Sequence, residues 1–210
     1  MNTPQAGERL PGESPVRRPP QVTRMLAWSG LDARRLEAAR VVLGERSIRA
    51  SGSMVSAPGA GTEPFSTSYA LTTDETGALS RLTVRTVGVR GEQHVTLSRS
   101  EEGIWLVDHG AGAARTDFSG ALDVDLAFSP LFNALPVRRL ELHRVATEHE
   151  LPMVFVTLPS LEVHLSRQTY RTVDVGDPAV VNFHTDTFDA QITTDSDGLV
   201  LDYPGLASRA

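Results

Sequence analysis

Two aspartates stand in the part of this sequence that is richest in residues able to do chemistry. Asp123 and Asp125 lie within LDVDLAFSPLFNALPVRRL, which runs from Leu122 to Leu140. We interpret this segment as a strand, a turn and the start of another strand. Both carboxylates then leave the same face of the first strand, with Cα atoms roughly 6.6 Å apart. That spacing suits chelation of a cation or an acid–base pair.

A structural role competes with these chemical roles, because Arg138 and Arg139 follow in the same segment. An Arg–Asp pair across a chain reversal keeps both partners charged when they are buried. Leaving one partner of a buried pair alone costs roughly 3–5 kcal/mol. We therefore favour ion pairing for Asp123 and Asp125, and keep hydrolysis of a glycosidic or ester bond by these two residues as the alternative.

Two prolines bracket Asn133, in the steps Ser129-Pro130 and Leu135-Pro136. Proline fixes its own φ and disfavours helix in the residue before it. Asn readily bonds its own backbone in a turn. Two interpretations stay open and are compatible with each other: a rigid crossover between strands, and a preorganised loop at the mouth of a cavity.

A second polar face is predicted further along the chain. Gln168 and Tyr170 fall on one face of a strand whose other face carries the apolar residues of the segment from Leu161 to Leu165. In an ordinary sandwich the polar face meets water, which is the interpretation we favour. In a half-open barrel it lines a polar patch of the pocket. The earlier residues on this face are also polar: Glu162, His164 and Ser166.

Several other chemistries find no support in the sequence. There are no cysteines, so disulfides, thiolate nucleophiles and Cys-ligated metals are excluded. The six histidines show no metal-binding spacing, and there is no GxSxG or glycine-rich phosphate loop. The run from Asp195 to Gly198 is similar to the start of a calcium loop, but Leu206 stands where a bidentate Glu is needed. It predicts a hairpin turn, and we expect no metal and no cofactor.

The elements that must position these residues are mostly strands. From Tyr69 onward, apolar and polar residues alternate with a period of two, as at Leu82 and Val84 and again at Val95 and Leu97. Many short strands joined by close turns predict a mainly β protein, an antiparallel meander curled into a sandwich or barrel.

Two segments are less regular. Leu31 to Leu43 is rich in helix formers, with Asp32 placed to cap a helix and Gly44 placed to end it. Val41 and Val42 are β-branched, so the pattern leaves helix and strand open. Leu140 to His143 alternates apolar and polar residues and predicts a strand.

Length and charge bound the remaining possibilities. The 210 residues suit one domain with a real core, and the net charge of −6 argues against nucleic acid as the main partner. Residues 1–24 contain five prolines and predict a disordered leader, which leaves 25–210 as a single domain. Whether translation starts at Met1 or Met25 stays open. No secretory signal and no apolar run of about 18 residues is recognisable, so we expect a cytoplasmic protein without a membrane span.

Four motifs, taken in order, resemble a bacterial family of putative glycolipid-binding proteins. Trp28 and Glu37 also stand where that family carries Trp and Glu, so the resemblance runs from about Trp28 to the C-terminus. The four motifs are Leu122–Leu140, Leu158–Leu161, Gln168–Tyr170 and Asp197–Leu206. The chain departs from the family at Ala121, where a Cys is expected, and at Ser129 and Phe132, where Thr is usual.

The resemblance implies a curved antiparallel sheet that forms an open or simplified β-barrel with few short helices, similar to bacterial carriers of acyl chains. It favours strand over helix for Leu31 to Leu43. It implies that a lipid-like or glycolipid-like ligand occupies a cavity without catalysis. A ligand-free structural module is a further possibility, favoured if no cavity of about 300 Å³ exists. We expect the polar head of the ligand to meet Asp123, Asp125, Asn133, Arg138, Arg139, Gln168 and Tyr170.

Overall fold

The computed structural model describes residues 21–31, 34–59 and 63–210. The predicted leader therefore lies almost entirely outside the described residues, and the first strand begins at Val22, just ahead of the expected boundary at Met25. The first eight strands are β1 Val22–Gly30, β2 Arg35–Leu43, β3 Ile48–Ser56, β4 Phe65–Thr73, β5 Leu79–Gly88, β6 Gly91–Arg99, β7 Trp105–Asp108 and β8 Ala113–Thr116.

The second part of the chain contains the helices and the remaining strands. A short 3₁₀ helix at Phe118–Gly120 follows β8. The other elements are β9 Asp123–Leu126, helix α1 Pro130–Arg139, β10 Glu148–Val156, β11 Val163–Asp174, β12 Ala179–Thr185, β13 Phe188–Thr194, β14 Val200–Tyr203 and β15 Ala207–Arg209.

All fifteen of these strands belong to one sheet, in the order β8 to β1 followed by β15 to β9. The pairing is antiparallel apart from β9 and β10, which run parallel. The first and last strands pair with each other, as at Trp28 and Arg209, so two meanders are joined through the ends of the chain. In the described part of the chain the sheet curves strongly without closing into a barrel, and β8 and β9 are its edges. The predicted mainly β, open antiparallel fold is confirmed.

The segment Leu31 to Leu43 forms a strand, as the resemblance implies. β2 begins at Arg35, and residues 32 and 33, which include the expected cap Asp32, lie outside the described residues. Its alternate residues Ala39, Val41 and Leu43 are buried, so the sheet overrides the local preference for helix. The predicted hairpin at Asp195 is also confirmed, because β13 and β14 flank it and the Asp195 carboxylate accepts the amides of Asp197 and Leu199.

The prediction for the segment Leu122 to Leu140 is wrong after its first strand. β9 forms as expected, but the chain then enters α1 instead of a turn and a second strand. Pro130 opens the helix, where its missing amide costs nothing, and Pro136 is accommodated inside it. Nearly every residue of α1 is buried, so the helix has no polar stripe whose period could reveal it.

The strand predicted from Leu140 to His143 is likewise wrong. These residues form the turn that ends α1, where the Leu142 amide donates to the Val137 carbonyl. Leu142 is buried in the cluster formed with residues of β10 to β14, and Leu140 packs against it, so this apolar spacing of two arises in a turn. Among the described residues, neither helix is long and apolar enough to cross a membrane.

Candidate functional site

A cavity of about 740 Å³ lies inside the curved sheet, between the end of β9, the start of α1 and the strands β10 to β14. Its volume exceeds the roughly 300 Å³ at which ligand pockets begin. Its wall combines aromatic side chains with a few polar groups. The aromatic residues are Phe128, Phe155, Phe183, Phe188 and Tyr203, and the buried polar residues are Asp125, Ser129, Asn133 and Gln168.

One side of the cavity is a cluster of three aromatic rings. Phe183 lies on β12, Phe188 at the start of β13 and Tyr203 at the end of β14. Their ring centroids are 5.8–6.2 Å apart, within the range of favourable edge-on and tilted ring contacts. Phe188 is half-exposed, so part of this aromatic wall is open to an incoming molecule.

Asp125 supplies the buried charge of the cavity wall. Its carboxylate Oδ2 accepts a hydrogen bond from Gln168 Nε2 at 2.7 Å, and the side chain is only 9% exposed. Burial raises the pKa of Asp125 to about 6, although the Gln168 hydrogen bond opposes the rise. None of the ion pairs within the described residues includes Asp125. A ligand that donates hydrogen bonds would therefore find an acceptor here.

A chain of hydrogen bonds fixes which atom of the Gln168 side-chain amide faces Asp125. Asn133 Nδ2 donates to the Tyr170 hydroxyl at 2.9 Å, and that hydroxyl donates to Gln168 Oε1 at 3.1 Å. Because Oε1 is taken, the amide nitrogen of Gln168 faces Asp125. Burial also raises the pKa of Tyr170 well above its ordinary range, so the hydroxyl keeps its proton. The network preorganises one face of the cavity.

Asp123 has a different environment from Asp125, although the two lie in the same short strand. Arg139 Nε donates to both carboxylate oxygens of Asp123 at 3.1 Å, and Nη2 donates to Oδ2 at 2.5 Å. Burial raises the pKa of Asp123, while the bonds and charge of Arg139 hold the rise in check. The predicted Arg–Asp pairing is thus present for Asp123 and absent for Asp125, and it separates a structural carboxylate from one that lines the cavity.

Arg138 is also occupied by the fold. Its guanidinium donates to the Asp197 carbonyl and to the carbonyls of Gly44 and Glu45 at 2.8 and 3.1 Å. These carbonyls belong to the turn between β2 and β3 and to the hairpin between β13 and β14. Arg138 therefore ties the two meanders together at the end of α1.

A second buried carboxylate cluster adjoins the cavity at Ser129. Glu37 Oε1 accepts hydrogen bonds from the Ser129 and Tyr69 hydroxyls, each at 2.5 Å. Burial raises the pKa of Glu37 to about 7, against the lowering effect of both hydroxyls and of Arg35. Gly52 allows the Tyr69 hydroxyl to reach Glu37, because a Cβ at position 52 would lie 2.3 Å from the Tyr69 ring.

The predicted site residues divide into two groups in the structure. Asp125, Asn133 and Gln168 line the cavity, and Tyr170 lies behind them in the hydrogen-bond network. Asp123, Arg138 and Arg139 are absent from the cavity wall and hold the fold together. The water-facing interpretation of Gln168 and Tyr170 is wrong, because both are buried on the concave side of β11.

Sequence reasoning did not single out the Glu37 cluster as a site, and it missed the aromatic wall. A signal for Glu37 was present: it falls in phase with the buried apolar residues of β2. A carboxylate on an apolar strand face is costly unless it is bonded, and so marks a special position. No comparable signal points to Ser129, whose contact with Glu37 depends on the fold.

The fold and cavity define a class of protein: a single curved sheet, antiparallel apart from one strand pair, with one buried helix and a large cavity of mixed apolar and polar lining that is partly open to solvent. Residues 25–209 match the family described as putative glycolipid-binding, and the chain belongs to this family. The predicted resemblance is confirmed.

A solved structure shares the fold. It is the crystal structure, at 1.80 Å resolution, of a DUF1089 family protein from Pseudomonas aeruginosa. The two structures superpose with a TM-score of 0.68 at 23% sequence identity, covering 97% of this chain and 100% of that one. No curated protein sequence matches the chain.

Proposed function

We propose that the protein binds an amphipathic, glycolipid-like molecule in the cavity between α1 and strands β10 to β14. The observation that carries the proposal is the composition of the cavity wall: aromatic rings surround a buried carboxylate that has no cationic partner among the described residues. The family to which the chain belongs supports the same class of ligand.

The aromatic wall suits the hydrocarbon part of such a ligand. Burying an apolar chain is favourable by about 0.8 kcal/mol per methylene group. The rings of Phe183, Phe188 and Tyr203 offer a continuous apolar surface, and Phe155 contributes to the same cavity from β10. A chain bound against them needs no rearrangement of the sheet.

The polar residues favour a hydroxyl-rich head group over an anionic one. The Asp125 carboxylate accepts hydrogen bonds from hydroxyl groups and repels phosphate or carboxylate. Arg167 also lines the cavity, but its guanidinium is exposed and pairs with Glu150 at 2.9 Å. The charge that a head group meets in the buried part of the cavity is therefore negative.

Catalysis by the aspartate pair is the weaker candidate. A two-carboxylate mechanism needs both groups beside the scissile bond. Asp123 is held by Arg139 and is absent from the cavity wall, so Asp125 would have to act alone. A purely structural role without ligand is disfavoured by the size of the cavity, which exceeds the roughly 300 Å³ at which ligand pockets begin.

The test uses purified full-length protein and the fluorescent probe N-phenyl-1-naphthylamine, which brightens in apolar cavities. We expect probe binding, and displacement by octyl glucoside below its micelle concentration. An octyl chain with a phosphate head should displace the probe at least about 10-fold less well, equivalent to about 1.4 kcal/mol. Absence of probe binding, together with no lipid extracted by organic solvent from the native protein, would contradict the proposal.

A further inference from the structure

We propose that Ser129 is the nucleophile of an ester-hydrolysing site in the cavity wall, with Glu37 as its general base. The pair joins Ser129, a buried residue of the cavity wall, to Glu37, a buried carboxylate of the neighbouring meander that is absent from that wall. It is distinct from the Asp125 network, and no residue of the aspartate pair takes part. The sequence-based prediction of a protein without catalysis stays a prediction, and ester hydrolysis at Ser129 would overturn it.

The backbone around Ser129 presents its side chain at a sharp turn between a strand and a helix. β9 ends at Leu126, and α1 begins at Pro130. Between them Phe128 has φ of +70°, a conformation that costs energy for an aromatic residue. Arg35 lies over the Phe128 ring at 3.9 Å and supports the turn. Many hydrolases carry their nucleophilic serine on a strand-to-helix turn, although here the strained backbone is at Phe128 and Ser129 itself is extended and buried.

Ser129 does not perform the usual task of a serine at this position. It is the N-cap residue of α1, yet its side chain makes no capping hydrogen bond to the helix. Such a bond usually contributes about 0.5–2 kcal/mol. The hydroxyl instead donates to Glu37 Oε1 at 2.5 Å. The N-terminus of α1 stays beside the hydroxyl, and its dipole would stabilise negative charge that develops on a substrate oxygen, without an amide donor from Pro130.

Glu37 has the environment of a base. The side chain is 2% exposed, and its second oxygen, Oε2, is buried without a hydrogen-bond partner among the described residues. Buried polar atoms nearly always have a hydrogen-bond partner in the protein or in ordered water, so a buried oxygen without one is unusual. The raised pKa, about 7, lets the carboxyl group accept and return a proton near neutral pH. Tyr69 donates to Oε1 and holds the carboxylate in place.

The reaction balances with water as the only co-reactant. Ser129 Oγ attacks the ester carbonyl carbon while its proton passes to Glu37, and the carbonyl π electrons move onto the oxygen. The intermediate collapses, the bond to the alkoxy oxygen breaks, and the leaving alcohol takes the proton from Glu37. Water then attacks the acyl group, with Glu37 accepting its proton, and the acid leaves as Ser129 recovers its hydroxyl.

The substrate class rests on the proposed function of the cavity. An acyl chain against the aromatic wall places a carbonyl ester within the same space as Ser129. The Asp125 carboxylate disfavours phosphate esters in that space, so we assign neutral carboxylic esters with an apolar acyl chain.

An octyl fluorophosphonate and p-nitrophenyl octanoate test the proposal on the full-length protein. We expect the first reagent to add one phosphonyl group at Ser129, detected by intact mass and peptide mapping, and the second to be hydrolysed. Ser129→Ala should abolish both, and Glu37→Gln should slow both by at least about 100-fold. The rate should rise with pH through about 7, because Glu37 must be ionised to act as base. Ser56→Ala is the matched control, since Ser56 is buried in β3 away from the cavity and should react normally.

The outcomes of these experiments separate this inference from the proposed function. Probe binding without labelling, or hydrolysis that is equal in the wild type and Ser129→Ala, would overturn the esterase assignment and leave ligand binding intact. Absence of probe binding by the wild type, together with no lipid extracted from it and no labelling, would overturn both. Labelling mapped to a different serine would overturn the assignment to Ser129, and thermal melting of each variant shows whether it folds.

Discussion

The two meanders of the sheet have the same hairpin architecture and very different interiors. In β1 to β8 most concave positions are apolar and fully buried, as at Leu82, Val95 and Trp105, and Glu37 is the buried carboxylate among them. In β9 to β15 the corresponding space holds the cavity, and Asp125 and Gln168 are buried beside it. The first meander is built for stability. The second meander contains a cavity where the first has packed side chains, and it buries more polar residues. Such a departure from ordinary packing is expected at a binding site.

A substitution in the filled meander should have the largest effect on stability. Trp105→Ala removes a fully buried indole and its hydrogen bond to the Ala121 carbonyl at 3.1 Å. We expect the free energy of unfolding to fall by about 3–5 kcal/mol, measured by urea denaturation. Probe binding by the molecules that remain folded should be unchanged. A loss below about 1 kcal/mol would contradict the contrast between the two interiors.

Breaking the ion pair between Asp123 and Arg139 should have the second-largest effect on stability. Asp123→Asn leaves the largely buried Arg139 without its partner, and we expect a loss of about 3 kcal/mol in the free energy of unfolding. The measurement is urea denaturation at neutral pH. Arg139→Ala should produce a similar loss, because it leaves Asp123 unpaired. Wild-type stability in either variant would show that the pair is not structural.

Replacing the neighbouring Asp125 should raise the free energy of unfolding, whereas replacing Asp123 lowers it. Burial raises the folded-state pKa of Asp125 to about 6, so the folded state binds the proton more tightly than the unfolded state. The contribution of Asp125 to stability is present below about pH 4 and is lost as pH rises to about 6. Asp125→Asn should therefore gain up to about 3 kcal/mol at pH 7, and the gain should disappear below pH 4.

Asp125→Asn should bind ligand more weakly than the wild type, although it is more stable at pH 7. Asparagine can still accept the Gln168 hydrogen bond, but it lacks the charge that attracts donors. We expect Asp125→Asn to weaken octyl glucoside binding by about 10-fold, as read by probe displacement. Octyl glucoside binding equal to that of the wild type would contradict the functional role of Asp125.

The smallest effect on stability is expected at the open side of the aromatic wall. Phe188 is 39% exposed, so Phe188→Ala should change the free energy of unfolding by no more than about 1 kcal/mol. Probe affinity should fall by roughly 10-fold because apolar contact is lost. The control is Val89→Ala, at an exposed residue in the turn between β5 and β6, which should change neither the free energy of unfolding nor the probe affinity.

Much of the fold could be predicted from the sequence, since the period of two follows directly from a strand with one buried face. The helix α1 could not, because it is buried on all sides and its apolar pattern has no period. Leu140 and Leu142 wrongly indicated a strand for a related reason: they belong to a turn and pack against the buried cluster of β10 to β14. The strand β2 needed the family resemblance, since its local composition favours helix.

The site was predictable only in part. Pattern and spacing selected Asp125, Asn133 and Gln168, which line the cavity, but they could not separate Asp125 from Asp123. That difference depends on where Arg139 lies at the end of a helix that the sequence did not reveal. The hydrogen bond between Glu37 and Ser129 joins residues far apart in the chain and needs the fold.

The most direct test of ligand binding is to fill the cavity without disturbing the sheet. Ser166 lies on the concave face of β11 and lines the cavity, whereas Ser53 is exposed on β3. We predict that Ser166→Trp abolishes binding of N-phenyl-1-naphthylamine and octyl glucoside while the protein stays folded. Ser53→Trp should bind both as the wild type does. Unchanged binding by folded Ser166→Trp would contradict the claim that the ligand occupies this cavity.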